Sequence, residues 1–588
     1  MSRRIFRIYP ALGVARVGDA KADEYFIGPE IPGVPANFDL ATQAFGRFKV
    51  EGRIKRQAAR FRVWECEQLA DGRIVPRAAE TVVGQDAVAA IEWSVHLANR
   101  KSSFFRVQRR ARIAELTTTE LRNPQVAPDA DERARRLDLD CGPRWISGPL
   151  AGPVILDHPN QALRASIPDL GELRTDVAGR LLVLGGAGRT AQLDGARLAA
   201  DIDNDGWFDD VGDGPVGAVL TLINPDGTTE RVEATGAWVV VGPPDFAPAI
   251  KNLVTLHDVL WDLAVREPES WPLPAYADGT PALAMLKEQR LDWRSTGARF
   301  TAYRPSFTRE IAPLLERALH VTFVHRPPGD PFHATLTRRA WADLGAPGND
   351  DVRASIFRTI RDPDASVATA MAMPKAFGDE YVSARKVPLD DPRLANPRRF
   401  LSLTRTQYAL LRQWAEGKFE SDLTAPEPPS AQPITPEGLD RAALENCVGG
   451  ALNPGIEVGW LVRESGAHVD PFRLELGRCV GGLPVRAGFL TQQMAVPWQA
   501  DFRDCHREPV TDPLSGELTF NMWWSAQRPD EVCLAEPGYR SVPWLRPPQF
   551  LLGDHDPLRF EEMVAGWSRL GFVALAFEGR WLEHERDE

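Results

Sequence analysis

Short apolar runs separated by turn-forming residues dominate the first 250 positions of the chain. Residues 46–66 (GRFKVEGRIKRQAARFRVWEC) alternate between apolar and basic side chains, which is the period-2 pattern of β-strands. Residues 179–186, 217–223 and 236–242 are compact apolar runs flanked by glycine. The pattern predicts two β-rich regions, 1–125 and 141–250, with residues 126–140 as a loop or linker between them.

A helical period replaces the strand pattern between residues 251 and 424. Leu256, Leu260 and Leu263 recur at helical spacing in LVTLHDVLWDLAVRE, and a similar pattern fills residues 307–325. Thr404 and Gln407 have the spacing of a capping box at a helix start. Residues 425–438 are rich in proline and predict a linker, and residues 439–588 form the last, mixed lobe. The predicted fold class is therefore α+β.

Length and composition limit the classes of protein that fit. A chain of 588 residues exceeds the size of a single core, so more than one packed lobe is expected. The net charge of −12 argues against a nucleic-acid surface, and no apolar run is long enough to span a bilayer. The N-terminus has no apolar segment of the kind found in Sec signals. We therefore expect synthesis in the cytoplasm, with export by another route left open.

Two groups of residues suggest metal binding without a complete ligand pattern. The acidic loop 201–213 (DIDNDGWFDDVGD) matches the first half of a calcium loop, but Gly212 occupies the position of the bidentate glutamate. Aspartates that cap their own turn explain the same sequence. His320, His325 and His333 lie close in sequence, yet they lack the spacing of a zinc motif. We therefore assign no metal ligand.

The segment from Met494 to Val532 contains the residues with the clearest chemistry. Asp501 precedes Cys505 by four residues, and the tryptophan pair Trp523 and Trp524 begins 18 residues after Cys505. A carboxylate, a thiol and an indole would thus come together if the chain reverses between them.

The residues between Cys505 and the tryptophans favour such a reversal. Pro509, the Asp512–Pro513 step and the Ser515–Gly516 step are turn formers. Residues 518–524 then alternate as in a strand, with Trp524 on the apolar face and Trp523 on the more polar face. The spacing leaves open which indole meets the sulfur, and the polar orientation favours Trp523.

The motif PWQADFxxC followed by WWxAQRPDxV resembles the signature of the lysine ε-oxidase/glycine oxidase family. Further stretches resemble family landmarks from one end of the chain to the other: residues 8–20, 181–190, 203–216, 371–380 and 444–457. The resemblance therefore covers the whole chain. It departs from the family in the short segment between cysteine and tryptophan, and in Ser525, where the family has proline.

The resemblance implies a cysteine tryptophylquinone cofactor made from Cys505 and either Trp523 or Trp524. It gives Asp501 a role in cofactor formation and proton transfer, and it places Phe208 along the substrate route and Cys447 beside the cofactor. Such a quinone accepts electrons from a primary amine, and reoxidation by O₂ yields a 2-oxo acid, ammonia and hydrogen peroxide. Phe208 favours a small amino acid such as glycine, because lysine oxidases have tyrosine there.

The resemblance also implies partners. A flavin-dependent modifying protein is expected to complete the cofactor, and a homo-oligomer is expected. The alternative is a family-like scaffold without an active quinone that serves as a binding or interaction protein, because the short segment after Cys505 could prevent the cross-link. A calcium-dependent hydrolase would rest on the acidic loop alone and lacks a catalytic triad pattern.

Overall fold

The computed structural model of the protein describes most of the chain. The described residues are 3–70, 73–85, 87–107, 120–193, 195–267, 271, 281–297, 299–325, 341–366, 372–374, 400–423, 433–449, 458, 460–504, 507–511, 518–522, 525–535, 540–545, 557–575 and 581–587. For residues 281, 282, 341, 342, 504, 507–511, 518–522, 540, 541 and 557–559 the description is of the backbone only.

Strands are the main regular structure of the first 242 residues, as the apolar runs predict. They are β1 (Arg3–Tyr9), β2 (Leu12–Arg16), β3 (Tyr25–Ile27), β4 (Phe38–Asp39), β5 (Ala44–Phe45), β6 (Lys49–Val50), β7 (Arg53–Ile54), β8 (Arg56–Gln68), β9 (Ile74–Pro76), β10 (Val88–Val95), β11 (Ala98–Asn99), β12 (Leu139–Asp140), β13 (Arg144–Ser147), β14 (Val154–Asp157), β15 (Asp169–Thr175), β16 (Leu181–Gly185), β17 (Thr190–Gln192), β18 (Trp207–Asp209), β19 (Asp213–Ile223), β20 (Thr229–Glu233) and β21 (Ala237–Gly242).

Fifteen of these strands form one mixed sheet. Its main path runs β12-β11-β19-β21-β2-β8-β16-β15-β14, and β2 lies parallel to β21 with Leu12 opposite Trp238. Strands from both predicted β-rich regions thus hydrogen-bond to each other. The division of the chain into domains stays a prediction.

Two basic residues of the alternating strand β8, Arg56 and Arg62, are buried, and Arg60 is half-buried. Arg62 is 4% exposed and lies 2.9 Å from Glu30 and 2.8 Å from Glu80. Carboxylates from neighbouring loops cover this face and neutralise it, so a charged alternation can be buried when partners arrive from elsewhere in the chain.

Helices dominate the region after β21. One helix, α1 (Ala130–Leu137), lies before this region. The helices after β21 are α2 (Leu256–Arg266), α3 (Pro281–Thr296), α4 (Ala312–His320), α5 (Trp341–Gly345), α6 (Asp350–Phe357), α7 (Arg405–Ala415), α8 (Pro436–Glu445), α9 (Trp498–Asp504) and α10 (Pro557–Gly566). A π-helical turn (Phe307–Ile311) precedes α4, and 3₁₀ turns occur at 321–323, 460–463, 465–467, 491–493 and 567–569.

The predicted helix starts and stops agree with the structure in the helical region. The Thr404–Gln407 capping box opens α7, and Gly417 has φ +72° just beyond its end. Two loop predictions are wrong in part. Residues 130–137 are helical because Asp129 accepts a hydrogen bond from Glu132 N, and the predicted linker gives way to α8 already at Pro436.

The C-terminal lobe combines helices with short antiparallel pairs. Its strands are β22 (His468–Asp470), β23 (Arg473–Leu474), β24 (Cys479–Val480), β25 (Leu483–Pro484), β26 (Arg507–Thr511), β27 (Leu518–Met522), β28 (Glu531–Leu534), β29 (Arg540–Pro543), β30 (Phe572–Leu575) and β31 (Trp581–His584). The α+β fold class is confirmed. Within the described residues, no helix is both long and apolar enough to cross a membrane.

Candidate functional site

Helix α9 carries Asp501, the described residue at the centre of the predicted site. Pro497 precedes the helix, where a proline is compatible with the first turn, and Ala500 N donates to its carbonyl at 3.1 Å. Asp501 lies in the first turn, where a negative charge is favoured by the helix dipole. Its side chain is 5% exposed. The carboxylate is therefore buried on a short helix that ends one residue before Cys505.

Three contacts from distant parts of the chain hold α9 in place. Asp209 Oδ2 accepts a hydrogen bond from Trp498 N at 3.0 Å. Gln499 Nε2 donates to the Gly188 carbonyl at 3.1 Å, and Arg528 Nε donates to the Phe502 carbonyl at 2.6 Å. The helix is thus fixed at its start, along its side and near its end.

Three buried side chains hold the segment that leads into α9. One of them, Asn204, belongs to residues 203–213, which are named the docking strip below. Arg122 Nη2 donates to Met494 O, Lys101 Nζ to Ala495 O and Asn204 Nδ2 to Val496 O, each at 3.0 Å. Three successive backbone carbonyls are therefore bound by buried side chains. This arrangement fixes the approach of the chain to Asp501.

The Lys101–Asp209 ion pair is the most deeply buried charge pair of this region. Both side chains are 0% exposed, and Lys101 Nζ lies 2.9 and 2.8 Å from the two carboxylate oxygens of Asp209. Burial lowers the pKa of Lys101, and Asp209 opposes that effect by Coulomb attraction and by its hydrogen bond. Asn99 Nδ2 adds a third donor to Asp209 at 3.0 Å.

Asp213 extends the docking strip to the residues before α9. Its carboxylate, which is 0% exposed, accepts hydrogen bonds from Leu490 N at 2.9 Å and from Thr491 N and Oγ1 at 2.8 and 2.6 Å. Trp238 Nε1 in β21 donates at 2.8 Å. The large sheet and the C-terminal lobe thus meet at one buried carboxylate.

The acidic loop 201–213, which includes the docking strip, has a structural role. Asp203 pairs with Arg122 at 2.6 Å, and Asp205 pairs with Arg106 at 2.5 Å and accepts from Asn123 N at 2.6 Å. Among the described residues, no three acidic, histidine or cysteine side chains converge as a metal site would require. Asp203 and Asp205, which resemble calcium ligands in the sequence, are engaged by arginines and backbone amides.

A β-hairpin follows α9, as the turn formers and the alternation predict. β26 pairs antiparallel with β27 from Arg507–Met522 to Thr511–Leu518. Pro509 belongs to β26 and lies opposite Phe520, so the prediction that it reverses the chain is wrong; a two-stranded ribbon tolerates proline because both strands are edges. Cys505, Trp523 and Trp524 lie outside the described residues. The hairpin register brings their described neighbours, Arg507 and Met522, together.

The residues after the tryptophan pair are held to the same body as α9. Ser525 is 1% exposed, and its carbonyl lies 3.2 Å from His325 Nε2. Ala526 N donates to Asn252 Oδ1 at 2.8 Å, and Phe246 N donates to the Gln527 carbonyl at 3.0 Å. The segments on both sides of the predicted cofactor residues are therefore anchored.

Phe208 and Cys447 lie close in sequence to residues that contact these segments. Phe208 is 2% exposed in β18 and precedes Asp209, and it belongs to the same cluster of buried apolar side chains as Trp498 and Phe502. Cys447 is 1% exposed, and its carbonyl accepts from Leu256 N at 3.1 Å. Their roles along the substrate route stay predictions.

A close backbone approach accompanies Cys447. A side chain at Gly449 would meet the Thr255 carbonyl at 2.4 Å, so only glycine fits between the two segments. Asn252, which binds Ala526, lies three residues before Thr255. The glycine therefore permits the packing that connects Cys447 with the segment after Trp524.

Several residues of the site carry no signal in the sequence. Lys101 and Arg122 look like ordinary surface cations, and Asp209 is one of several aspartates in its loop. His325 suggests a metal ligand, whereas the structure uses it beside the Ser525 carbonyl. Only proximity to partners hundreds of residues away reveals these roles.

Comparisons with known proteins agree with the resemblance. Residues 9–241 match the family model described as L-lysine epsilon oxidase N-terminal, and residues 383–524 match the model described as L-lysine epsilon oxidase C-terminal domain. An L-lysine 6-oxidase from Marinomonas mediterranea is 29% identical over 568 residues, covering 86% of this chain and 71% of that protein.

Solved structures extend this similarity to the fold. The L-Lys epsilon-oxidase from Marinomonas mediterranea, in its Schiff base intermediate with L-Lys, superposes with a TM-score of 0.76 and 25% identity. That match covers 99% of this chain and 95% of the other. A second structure of the L-Lys epsilon-oxidase gives a TM-score of 0.74 at 25% identity, covering 99% and 94%.

Proposed function

Because the chain belongs to the L-lysine ε-oxidase family, we propose that it is an amino-acid oxidase whose cofactor is a cysteine tryptophylquinone formed from Cys505 and either Trp523 or Trp524. The substrate is a primary amine of a small amino acid such as glycine. The amine and O₂ are converted with water into a 2-oxo acid, ammonia and hydrogen peroxide.

The observation that carries the proposal is the anchoring of both segments around the predicted cofactor residues. Helix α9 ends directly before Cys505, and the buried Ser525 directly follows Trp524. Arg528 joins the two segments, because its Nε donates to the Phe502 carbonyl of α9 at 2.6 Å. A covalent link between a thiol and an indole needs such fixed flanks, since each must stay in bonding reach of the other.

The residue types present fit the cofactor. Cys505 supplies a sulfur, the tryptophan pair supplies the indole, and the buried Asp501 lies four residues before Cys505. When formed, the quinone would supply the electrophilic carbonyl and the electron sink that oxidation of an amine requires.

Asp501 is the proposed group for proton transfer in this site. Its side chain is 5% exposed, so a proton that the carboxylate accepts is shielded from solvent. The Trp498 and Phe502 rings of the same helix pack edge to face at 5.1 Å and exclude water from one side of α9. Asp501 would accept the proton that leaves the carbon bearing the amine and hold it away from solvent.

Phe208 supports a small substrate. A buried phenylalanine offers no hydrogen bond to the distal amine of lysine, whereas a tyrosine hydroxyl could. We expect glycine to be oxidised with a higher kcat/KM than L-lysine. Phe208→Tyr should move that ratio towards lysine, as measured by hydrogen peroxide release with each substrate, and an unchanged ratio would remove Phe208 from the specificity argument.

Peptide mass mapping tests the cofactor directly. A peptide that joins Cys505 to Trp523 or Trp524 should contain two oxygen atoms more and four hydrogen atoms fewer than the unmodified residues, and fragmentation would identify the modified indole. The scaffold alternative predicts separate peptides with unmodified masses. The protein should be co-expressed with its flavin-dependent modifying protein, which together with a homo-oligomeric state is part of the proposal.

Asp501→Asn tests the catalytic assignment. Loss of a general base typically costs about 10²–10⁴-fold in rate, and we expect that loss in glycine-dependent peroxide formation. Asp226→Asn, in an exposed turn, is the matched control and should leave the rate unchanged. Mass mapping of Asp501→Asn would separate a defect in cofactor formation from a defect in turnover, and full activity would refute the role of Asp501.

A further inference from the structure

A second cleft lies between the start of the sheet, the helical region and α8. Its volume is about 140 Å³, and it is lined by residues of β1, α2, α3, the π-helical turn before α4, α4, α7, α8 and the turn between β22 and β23. Neither Asp501, Phe208 nor Cys447 lines it. The cleft is therefore distinct from the site proposed for the quinone.

Asp440 is a buried carboxyl group in the wall of this cleft. It is 7% exposed, and its Oδ1 accepts a hydrogen bond from Ala11 N at 2.5 Å. Within the described part of the chain, Oδ2 has no hydrogen-bond partner and no cation forms an ion pair with the group. Burial raises the pKa of Asp440 to about 7, against the attraction of Arg473 and with the repulsion of Glu437 and Asp470.

Glu310 is a second carboxyl group of the same cleft without a cationic partner. It accepts hydrogen bonds from the Tyr303 hydroxyl at 2.8 Å, Gln289 Nε2 at 2.7 Å and Ser306 N at 2.8 Å. Burial raises its pKa to about 7, although these donors and nearby Arg309 favour ionisation. No ion pair to Glu310 occurs among the residues that the structure describes.

Four of the five guanidinium groups that line the cleft form ion pairs, in contrast to these two carboxyls, and the fifth, that of the exposed Arg309, donates to Ser306 Oγ at 3.4 Å. Arg317 pairs with Asp258 at 2.6 Å, and Arg441 pairs with Glu445 at 3.1 Å. Two more cations share a single carboxylate: Arg7 and Arg473 both pair with Asp470. Asp440 and Glu310 thus form no ion pair with a described residue, although Arg473 attracts Asp440 and Arg309 attracts Glu310.

Aromatic side chains complete the wall. His257 stacks on Phe472 at 5.3 Å and lies 5.4 Å from Trp261. Burial lowers the pKa of His257 to about 4, so its ring is neutral near pH 7 and adds no competing positive charge. Aromatic faces beside carboxylates are the surroundings in which proteins bind organic ammonium groups.

We propose that this cleft is a binding site for a small organic ammonium ion, held by Asp440 and Glu310 and packed against Trp261 and His257. The site is separate from the quinone and does not depend on it. An ammonium group would donate to Asp440 Oδ2 and form the ion pair that both carboxyls lack among the described residues.

Calorimetric titration with 1,5-diaminopentane tests the proposal. The protein is first treated with phenylhydrazine, which consumes reactive carbonyls, so that the amine cannot react at the quinone. We expect saturable binding of the diamine, weaker binding of n-pentylamine and no binding of glutarate, which has the opposite charge. Binding of glutarate in place of the diamine, or of neither, would overturn the proposal. Failure of the proposed cofactor would leave this titration unchanged.

The variants Asp440→Asn and Glu310→Gln locate the binding. Each keeps the shape of the side chain and removes its charge, and each should weaken diamine binding by about tenfold. Asp226→Asn, far from the cleft, is the matched control. Thermal unfolding confirms that each variant is folded. If both variants bind the diamine as tightly as the unmodified protein, the site is elsewhere and the proposal fails.

Proton release provides an independent readout. The diamine stays charged, whereas the carboxyls titrate near pH 7, so affinity should rise about tenfold between pH 6 and pH 8 for each carboxyl engaged. Titrations at pH 6.5 in phosphate and in Tris should differ in apparent enthalpy because binding displaces protons. An identical enthalpy in both buffers would contradict a role for these carboxyls.

Discussion

Buried carboxylates occur in two contrasting settings in this protein. In the docking strip, Asp209 is matched by the Lys101 ammonium, the Asn99 amide and the Trp498 amide, and Asp213 by four donors. In the cleft, Asp440 accepts one hydrogen bond from a backbone amide, and neither Asp440 nor Glu310 forms an ion pair with a described residue. The same residue type is thus fully satisfied in one place and incompletely satisfied in the other.

The difference separates structural from ligand-binding roles. A buried charge with all its partners fixes segments to each other, because removing it leaves those partners unpaired. A buried carboxyl without an ion pair costs free energy in the folded state, and such groups are concentrated at functional sites, where a ligand can supply the missing partner. A shifted pKa alone would not distinguish a structural carboxyl group from a ligand-binding one. The number and kind of its hydrogen-bond and ion-pair partners does.

The largest effect is expected from breaking the buried ion pair. Asp209→Ala leaves the Lys101 ammonium buried without its partner, and the free energy of unfolding should fall by about 3–5 kcal/mol. The double variant Lys101→Met/Asp209→Ala should recover part of this loss, because no unpaired charge remains. Urea denaturation measures both. A single variant as stable as the unmodified protein would show that the pair does not hold the strip.

Asp213→Asn should have the next largest effect. The amide cannot accept from all four donors, and each buried donor left unsatisfied costs about 1–3 kcal/mol. Thr491→Val is the matched control, since it removes one donor and leaves three, and it should destabilise less. An equal effect of both variants in urea denaturation would contradict the view of Asp213 as a shared acceptor.

For the carboxyl groups of the cleft we expect an effect of opposite sign, because removing a charge there should stabilise the protein at high pH. The pKa values of Asp440 and Glu310, about 7, lie above those of the unfolded chain, so the folded state binds protons more tightly. Their contribution to stability is present at low pH and is lost as the pH rises from about 4 to 7. Asp440→Asn should therefore stabilise the protein relative to the unmodified chain at pH 8, by the order of 2 kcal/mol, and not at pH 4.

Thermal unfolding at both pH values measures this difference. Addition of 1,5-diaminopentane at pH 8 should raise the melting temperature of the unmodified protein more than that of Asp440→Asn. If Asp440→Asn is less stable than the unmodified protein at pH 8, Asp440 has a structural role like that of Asp209 and Asp213, and the proposed difference between the cleft and the docking strip is wrong.

The smallest effect is expected at the exposed end of the docking strip. The Arg106 and Asp205 side chains are 26% and 33% exposed, so their ion pair is screened by solvent. Arg106→Gln should change the free energy of unfolding by no more than about 0.5 kcal/mol, and high salt should abolish the difference. If Arg106→Gln lowers the free energy of unfolding as much as Asp209→Ala does, then the contribution of an ion pair in the docking strip does not depend on its burial.

The sequence by itself determined the local elements and the family. Apolar runs bounded by glycine became strands of the large sheet, the Thr404–Gln407 pair became a capping box, and the turn formers after Cys505 predicted the hairpin. These features are local, because propensity, capping and turn chemistry act within a few residues. The motif around Asp501 and Cys505 indicated the oxidase family for the same reason: its residues are close along the chain.

Only the tertiary structure decided which charges are paired. Lys101 meets Asp209 across 108 positions of sequence, and Arg122 meets Met494 across 372. The burial of Arg62, the role of the acidic loop and the cleft at Asp440 all depend on segments that the sheet brings together. The cost of a buried charge depends on its neighbours in space, and residues hundreds of positions apart become neighbours only when the chain has folded.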